Sequence, residues 1–251
     1  MREDLLVVVL CYAGDAAQVE HQLGSYTHHG APVLALSPAD APAWIPGIEN
    51  QCAGLSGWKG RHVAYKLMAH WQIMLEYPKT WFLVHESDSV CLSPELPEEI
   101  FERDDVLWSM ALGEPNQPGT NYNAPWFGHR NVFERMLRES KAHVEEWHQA
   151  WSSVEFTSDG TPGEGMGNSE MISTVLGHSN EPCEFDGLRG HEPCHSKDLQ
   201  GGRLPRSVWT YQEGDPGLLL RSVQEGAWFV TGLKSPALYS DLVQAYEAAN
   251  A

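Results

Sequence analysis

The sequence predicts an α/β fold with a mostly parallel central sheet flanked by helices, on three observations. Leu5–Leu10 (LLVVVL) is an unbroken apolar run rich in β-branched residues, the composition of a strand buried on both faces. A helical stretch, Ala16 to His29 ended by Gly30, leads to a second such run at Pro32–Leu36, which makes the opening a β-α-β unit. A third buried run, Trp81–Val84 (WFLV), follows a longer amphipathic helix. In a sheet of this kind ligands bind beyond the carboxyl ends of the strands, here near Tyr12 to Asp15 and Ser37 to Asp40.

The remaining elements follow in order. Val63, Ala64, Leu67, Met68, Trp71, Met74 and Leu75 recur at helical spacing after the Gly-rich loop Gly54 to Gly60, and Tyr77-Pro78 closes that helix. Asp105 to Leu112 reads as a strand and Gly113 to Gly128 as a long Pro/Asn/Gly loop. Phe133, Met136, Leu137, Val144, Trp147 and Trp151 mark a long helix, and Thr157 to Asn168 a second loop. A further helix starts near Ser169-Glu170, with Gly177 as its stop. Glu181 to Arg206 lacks periodicity and reads as loop. Val208–Tyr211, Leu218–Val223 and Ala227–Val230 then read as short strands, and Pro236 to Ala249 as a closing helix. No repeat or low-complexity linker interrupts the 251 residues, so a single domain is expected, 1–112 forming one half and 113–251 the other.

Composition narrows the function classes. Lys and Arg number 16 against 34 Asp and Glu, a formal net charge of −18 that opposes broad contact with phosphate backbones or anionic lipid. No apolar stretch is long enough to cross a bilayer, and two acidic residues precede the first apolar run where a leader would carry basic ones, so a cytoplasmic protein without a membrane partner is expected. Five scattered cysteines, an odd number, read as reduced thiols. Cys183, His191, Cys194 and His195 could ligate zinc, but they lack paired short intervals, and a His-bearing cleft loop is the better reading. His28, His29, His70 and His148 read as surface or helix-packing residues.

Glu86-Ser87-Asp88 is the most informative motif. Alternation along an extended chain would put both carboxylates on one side, at the mouth where a parallel sheet exposes its ligand crevice. Such a pair suits Mg²⁺ or Mn²⁺, which take one or two carboxylates plus substrate phosphates, and would let an acidic protein hold an anionic nucleotide. Trp58, Lys59 and Arg61, a ring and two cations beside a Gly-rich loop, could clamp a base or a diphosphate or could be surface residues at a helix start.

In order and spacing the chain resembles the GT-A fold family of nucleotide-sugar-dependent glycosyltransferases, in which a β-α-β half leads through a long helix and a buried strand to an Asp-x-Asp metal motif. WFLVHESDSV (Trp81 to Val90) resembles that strand and motif, with Glu86 in place of the first Asp. The resemblance implies transfer of a sugar from a nucleotide diphosphate donor, UDP-sugars favoured, to a hydroxyl acceptor. That acceptor could be a saccharide, a protein, a small molecule or a modified nucleobase. It implies Mn²⁺ or Mg²⁺ on Asp88 and Glu86, Tyr12 and Asp15 facing the nucleobase, and Asp40 on base or ribose, although Asp15 and Asp40 also suit ordinary turn chemistry. GEGMGNSEMISTVLG resembles the family's loop and helix carrying a general base, with Glu170 in that place and Glu164 as the alternative.

Asn121, Asn123 and Trp126 would belong to the acceptor or donor-sugar pocket. WFVTGLKSP resembles the end of the family's C-terminal His pattern without its His. Lys234 would neutralise the leaving diphosphate, and His191 or His195, water or nothing would stand for the third metal ligand. Two alternatives remain: a non-catalytic nucleotide- or carbohydrate-binding protein of the same fold, and a nucleotidyltransferase, which the absence of Lys or Arg from Cys11 to Gln18 disfavours.

Overall fold

The computed structural model describes residues 3–28, 30–56, 61–93, 96–117, 120–152, 168–176, 199–210, 215–233 and 236–251. Leu5–Leu10 forms β1, buried along its whole length as its composition requires. It is followed by α1 (Ala16–His28), β2 (Val33–Ser37), β3 (Glu49–Cys52), α2 (Arg61–Met74) and β4 (Trp81–Glu86). Then come β5 (Val90–Cys91), a 3₁₀ turn (Glu98–Phe101), β6 (Val106–Leu112), β7 (Asn121–His129), α3 (Arg130–Ser152) and α4 (Asn168–Val175). β8 (Gln200–Arg203), β9 (Ser207–Trp209), α5 (Pro216–Gln224), β10 (Phe229–Thr231) and α6 (Pro236–Ala249) complete the described elements.

The fold is α/β. Seven strands form the main sheet in the order β3-β2-β1-β4-β7-β6-β8, and a smaller sheet has the order β5-β10-β9. In the main sheet β7 runs antiparallel to both its neighbours, β4 and β6, while the other pairings are parallel. Residues 1–112 and 113–251 both supply strands to this sheet, since β7 and β8 lie beside β4 and β6. One apolar cluster joins the sheet to α2, α3 and α4 through Leu67, Trp71, Phe133 and Met171, and a second covers the opposite face through Val19, Leu23, Ile100 and Trp228. No helix among the described residues is long and apolar enough to cross a membrane.

Four expectations need correction. The stretch from Asn121 to Gly128 is strand, not loop, and the true connection is confined to the residues before it. Its Asn and Pro residues are accommodated by a register shift opposite Ser109 and Met110, which leaves Ala124 and Pro125, joined by a cis peptide bond, out of the regular ladder. Leu218–Val223 is helical within α5: the Asp215 side chain accepts a hydrogen bond from Gly217 N at 2.8 Å, Pro216 opens the helix, and Leu219 and Val223 bury one face four residues apart. Gln200–Arg203 is strand within a region read as loop; Gly201 has no side chain because the Tyr122 ring occupies that space. Finally, β4 continues to Glu86, after which Ser87 and Asp88 turn, so strand alternation is not what brings the two carboxylates together.

Candidate functional site

β1 and β4 are neighbours, and the chain leaves them in opposite directions across the sheet, β2 and β3 on one side and β7 on the other. Their carboxyl ends therefore open a crevice at a switch point. The turn Glu86-Ser87-Asp88 is stitched into that crevice from several sides. Ser87 N donates to Leu10 O at 3.0 Å and Leu233 N to Asp88 O at 2.7 Å. Ser87 Oγ donates to Asp15 Oδ2 at 2.7 Å, the same oxygen that accepts from Tyr12 N at 2.9 Å. Gln22 Nε2 donates to Ser87 O, and Ser89 Oγ lies 2.7 Å from Thr231 Oγ1. Asp15 thus ties the β1–α1 turn to the acidic turn while lining the cavity between them.

Two cavities share the wall formed by Glu86, Asp88 and Asn168. The larger, about 500 Å³, is lined also by Cys11, Tyr12, Asp15, Gln18, Lys66 and His70. Lys66 is 3% exposed, and its Nζ donates to Tyr12 Oη at 2.9 Å. Burial lowers the Lys66 pKa from its ordinary value, while the nearby Glu86 carboxylate opposes that shift. Burial pushes the Tyr12 phenol up to about 12, helped by Glu86, Asp15 and Asp40. His70, whose Nε2 lies 3.1 Å from Ala53 O, is lowered to about 4 by burial and then by Lys66. At neutral pH this cavity therefore presents a neutral phenol and a neutral imidazole beside the buried Lys66 side chain.

The smaller cavity, about 290 Å³, lies on the β7 side and is lined by Asn123, Ala124, Trp126, Ser169, Trp209, Thr231 and Gly232 beside the shared wall. Residues 123 and 126, an odd number apart, would face opposite sides of a regular strand; the register shift between them turns both toward the cavity. Trp126 is buried, with its Nε1 donating to Tyr122 O at 2.9 Å, so it contributes carbon surface rather than a free donor.

In the shared wall, Asn168 Nδ2 donates to Glu86 Oε1 at 3.2 Å, and Asn168 Oδ1 is buried without a hydrogen-bond partner among the described residues. Two carboxylates and an amide oxygen form an all-oxygen donor set, which suits a hard divalent cation. Among the described residues no group of three His, Cys, Asp or Glu gathers to hold a metal, so substrate or solvent oxygens would complete the coordination.

The structure thus brings Tyr12, Asp15, Glu86, Asp88, Asn123 and Trp126 to the two cavities. Asp40 lines neither; its two carboxylate oxygens accept from Ser56 N and Ser56 Oγ, both at 2.6 Å, which closes the loop after β3. Glu170 lies in the first turn of α4, immediately after the cavity-lining Asn168 and Ser169, and Arg61 opens α2; the side chains of both lie outside the described residues. Trp58, Lys59, Glu164, Lys234, Gly177 and the Cys183, His191, Cys194 and His195 set also lie outside them.

Lys66, Asn168 and Trp209 were not singled out from sequence, and His70, read as a surface or helix-packing residue, is buried on α2 and lines the larger cavity. Lys66 and His70 stand in register with Val63, Leu67, Trp71 and Met74 on the buried stripe of α2, and a cation and an imidazole at core positions were the available signal. No protein-family model matches the chain, and no curated protein sequence matches it either.

Proposed function

We propose that the chain is a divalent-metal-dependent glycosyltransferase that moves a sugar from a nucleotide diphosphate donor, UDP-sugars favoured, to a hydroxyl acceptor, within the GT-A family its sequence resembles. The observation that carries this reading is the Glu86–Asp88 turn, which forms a common wall between a larger cavity with a buried cation and a smaller one lined by aromatic and amide groups. A donor bound across that wall places its nucleoside beside Tyr12 and Asp15, its diphosphate at Glu86, Asp88 and Asn168, and its sugar toward Asn123 and Trp126.

Mn²⁺ or Mg²⁺ held there supplies charge neutralisation to the departing diphosphate. Lys66 adds a positive charge on the same side, in a buried setting where its interaction with phosphate is weakly screened. In an inverting transfer the acceptor oxygen attacks the anomeric carbon, the bond from that carbon to the diphosphate oxygen breaks, and Glu170 at the start of α4 takes the hydroxyl proton. In a retaining transfer Glu170 has another role.

Asp88→Ala provides the test. UDP, GDP and their sugars are titrated with and without Mn²⁺ while thermal stability is followed. Metal-dependent stabilisation by one nucleotide, lost in Asp88→Ala, supports the donor site; no response to any nucleotide overturns it. The two-carboxylate wall without a third acidic or His ligand among the described residues favours the second reading, a non-catalytic binding protein of the same fold. Metal-dependent hydrolysis of the donor sugar would argue against that alternative.

A further inference from the structure

Each carbonyl of the Glu86-Ser87-Asp88 turn accepts a hydrogen bond. Glu86 O accepts from Ser89 N at 3.2 Å, which closes the turn on itself, and Asp88 O accepts from Leu233 N at 2.7 Å. Ser87 O accepts from Gln22 Nε2 on α1. Leu233 is held from the same helix, because Gln18 Nε2 donates to its carbonyl at 2.8 Å. Gln18 and Gln22 stand four residues apart, so they project from one face of α1, one turn after the other. One of them reaches Ser87 directly, and the other reaches Asp88 through Leu233.

Gln22 occupies a core position. It is 2% exposed, and Val19 and Leu23 beside it on α1 pack in the apolar cluster on that face of the sheet. An amide buried in such surroundings costs free energy unless it is paired, and an apolar side chain of the same size would take the donor away from Ser87 O. Gln22 lines neither of the two cavities, whereas Gln18 lines the larger, so Gln22 reaches a ligand there only through the turn.

The carboxylates of Glu86 and Asp88 can meet one cation only where the backbone that carries them is fixed. Groups that hold metal ligands in place contribute about 10- to 100-fold to metal affinity. A turn fixed in advance also avoids the cost of being ordered when the ligand arrives.

We infer that Gln22 is a positioning residue for the cation, and that with Gln18 it forms a clamp from α1 that presets the Glu86–Asp88 turn. The inference deepens the metal-dependent donor reading and rests on it for the presence of the cation.

The test uses the full chain with Mn²⁺ as the probe, free Mn²⁺ being followed by electron paramagnetic resonance with and without UDP, and UDP binding by calorimetry. Gln22→Met keeps the length and volume of the side chain and removes the donor. Its Mn²⁺ affinity is expected to fall about tenfold or more, while excess Mn²⁺ recovers the wild-type affinity for UDP. A residue that only packed α1 would lower the melting midpoint without moving the Mn²⁺ affinity of the folded protein. Gln18→Met is expected to lower Mn²⁺ affinity about threefold, because its tie to Asp88 runs through Leu233, and to speed amide hydrogen exchange at Leu233. If Gln22→Met shows no folded melting transition, Gln18→Met, half-buried and so the milder change, carries the test on those two readouts.

Mn²⁺ affinity within about twofold of wild type in folded Gln22→Met overturns the inference. Where Gln18→Met carries the test, unchanged Mn²⁺ affinity and unchanged exchange at Leu233 overturn it. Nucleotide-dependent Mn²⁺ binding that is equal in wild type and variant overturns the clamp and leaves the transferase reading standing. Gln22-dependent Mn²⁺ binding without any response to a nucleotide does the reverse, and wild-type protein that takes up no Mn²⁺ overturns both.

Discussion

The larger cavity is assembled from chain segments that precede Val90 apart from Asn168, whereas the smaller one draws on Asn123, Trp126, Asn168, Trp209 and Gly232, spread over more than a hundred residues. The first is the crevice any parallel β-α-β layer opens at the carboxyl ends of its strands, furnished with a buried lysine. The second exists because an antiparallel strand loses its regular register and a separate small sheet closes over it. The difference teaches where specificity would reside on the proposed reading: the crevice would offer a generic place for a charged nucleotide, and the irregular elements would add a shaped neighbour of aromatic and amide groups beside the acidic wall.

The strongest way to break the comparison is to remove the wall that the cavities share. Asp88→Ala is expected to lower sugar transfer by about 10³-fold or more, because stabilisation of the departing diphosphate is worth several kcal/mol. The same variant should lose metal-dependent stabilisation by nucleotide in a thermal melt. Transfer within about tenfold of wild type would show that the two cavities do not meet at Asp88.

Acid exposes a second contrast, between imidazoles at the sheet and the solvated acidic surface. Burial lowers His70 and His85 to about 4, and both are neutral in the fold. The unfolded chain takes up protons on these groups below about 6.5, so their contribution to stability is complete above that pH and is lost as pH falls toward 4. The loss is on the order of 3 kcal/mol per histidine. His85→Phe, whose ring would keep the edge contact with Phe229, is expected to flatten the fall in denaturation midpoint between pH 6.5 and 4. An unchanged slope would show that His85 is not the group responsible.

Lys66→Met sharpens the division of labour. A buried ammonium facing a diphosphate should contribute about 10- to 100-fold to nucleotide affinity, in line with charge-assisted hydrogen bonds. Calorimetry with UDP is expected to show that loss, while the affinity that a UDP-sugar gains over UDP stays the same. Methionine keeps the volume and removes the desolvation penalty but also the donor to Tyr12 Oη, so the melting midpoint is expected to move little. Loss of that gain as well would mean that the cavities are not separable.

The contrast between the cavities also explains what was legible in the sequence. β1 and β4 announce themselves as apolar runs, and Glu86 and Asp88 stand out because acid follows such a run abruptly. Asp15 lies where the β-α turn was expected, although the geometry gives its carboxylate a tying role between two turns. β8 was illegible because its glycines make room for Tyr122 and Trp108, a reason that resides in other strands. Trp209 was read as strand within Val208–Tyr211, but nothing local marked it for the cavity: that place depends on pairing with a strand more than twenty residues later. α5 was misread because its apolar run Leu218–Leu220 fits a strand as well as a helix, and the deciding signal was the Asp215-Pro216 start.

Asp40, which lines neither cavity, carries the smallest expected effect. Position alone made it a candidate for base or ribose, yet both its oxygens hold Ser56 in an exposed loop. Exposed hydrogen bonds to a carboxylate contribute on the order of 1 kcal/mol, and solvent competes for each. Asp40→Ala is therefore expected to lower the melting midpoint slightly and to leave UDP affinity within about twofold, a shift well under the 1.4 kcal/mol of a tenfold change. The measurement that checks this is calorimetric titration of UDP into the folded variant. A tenfold or greater loss of UDP affinity would move the nucleotide outward, past Pro38 to the Asp40–Ser56 clasp, and would make that loop a third wall of the cavity rather than its surround.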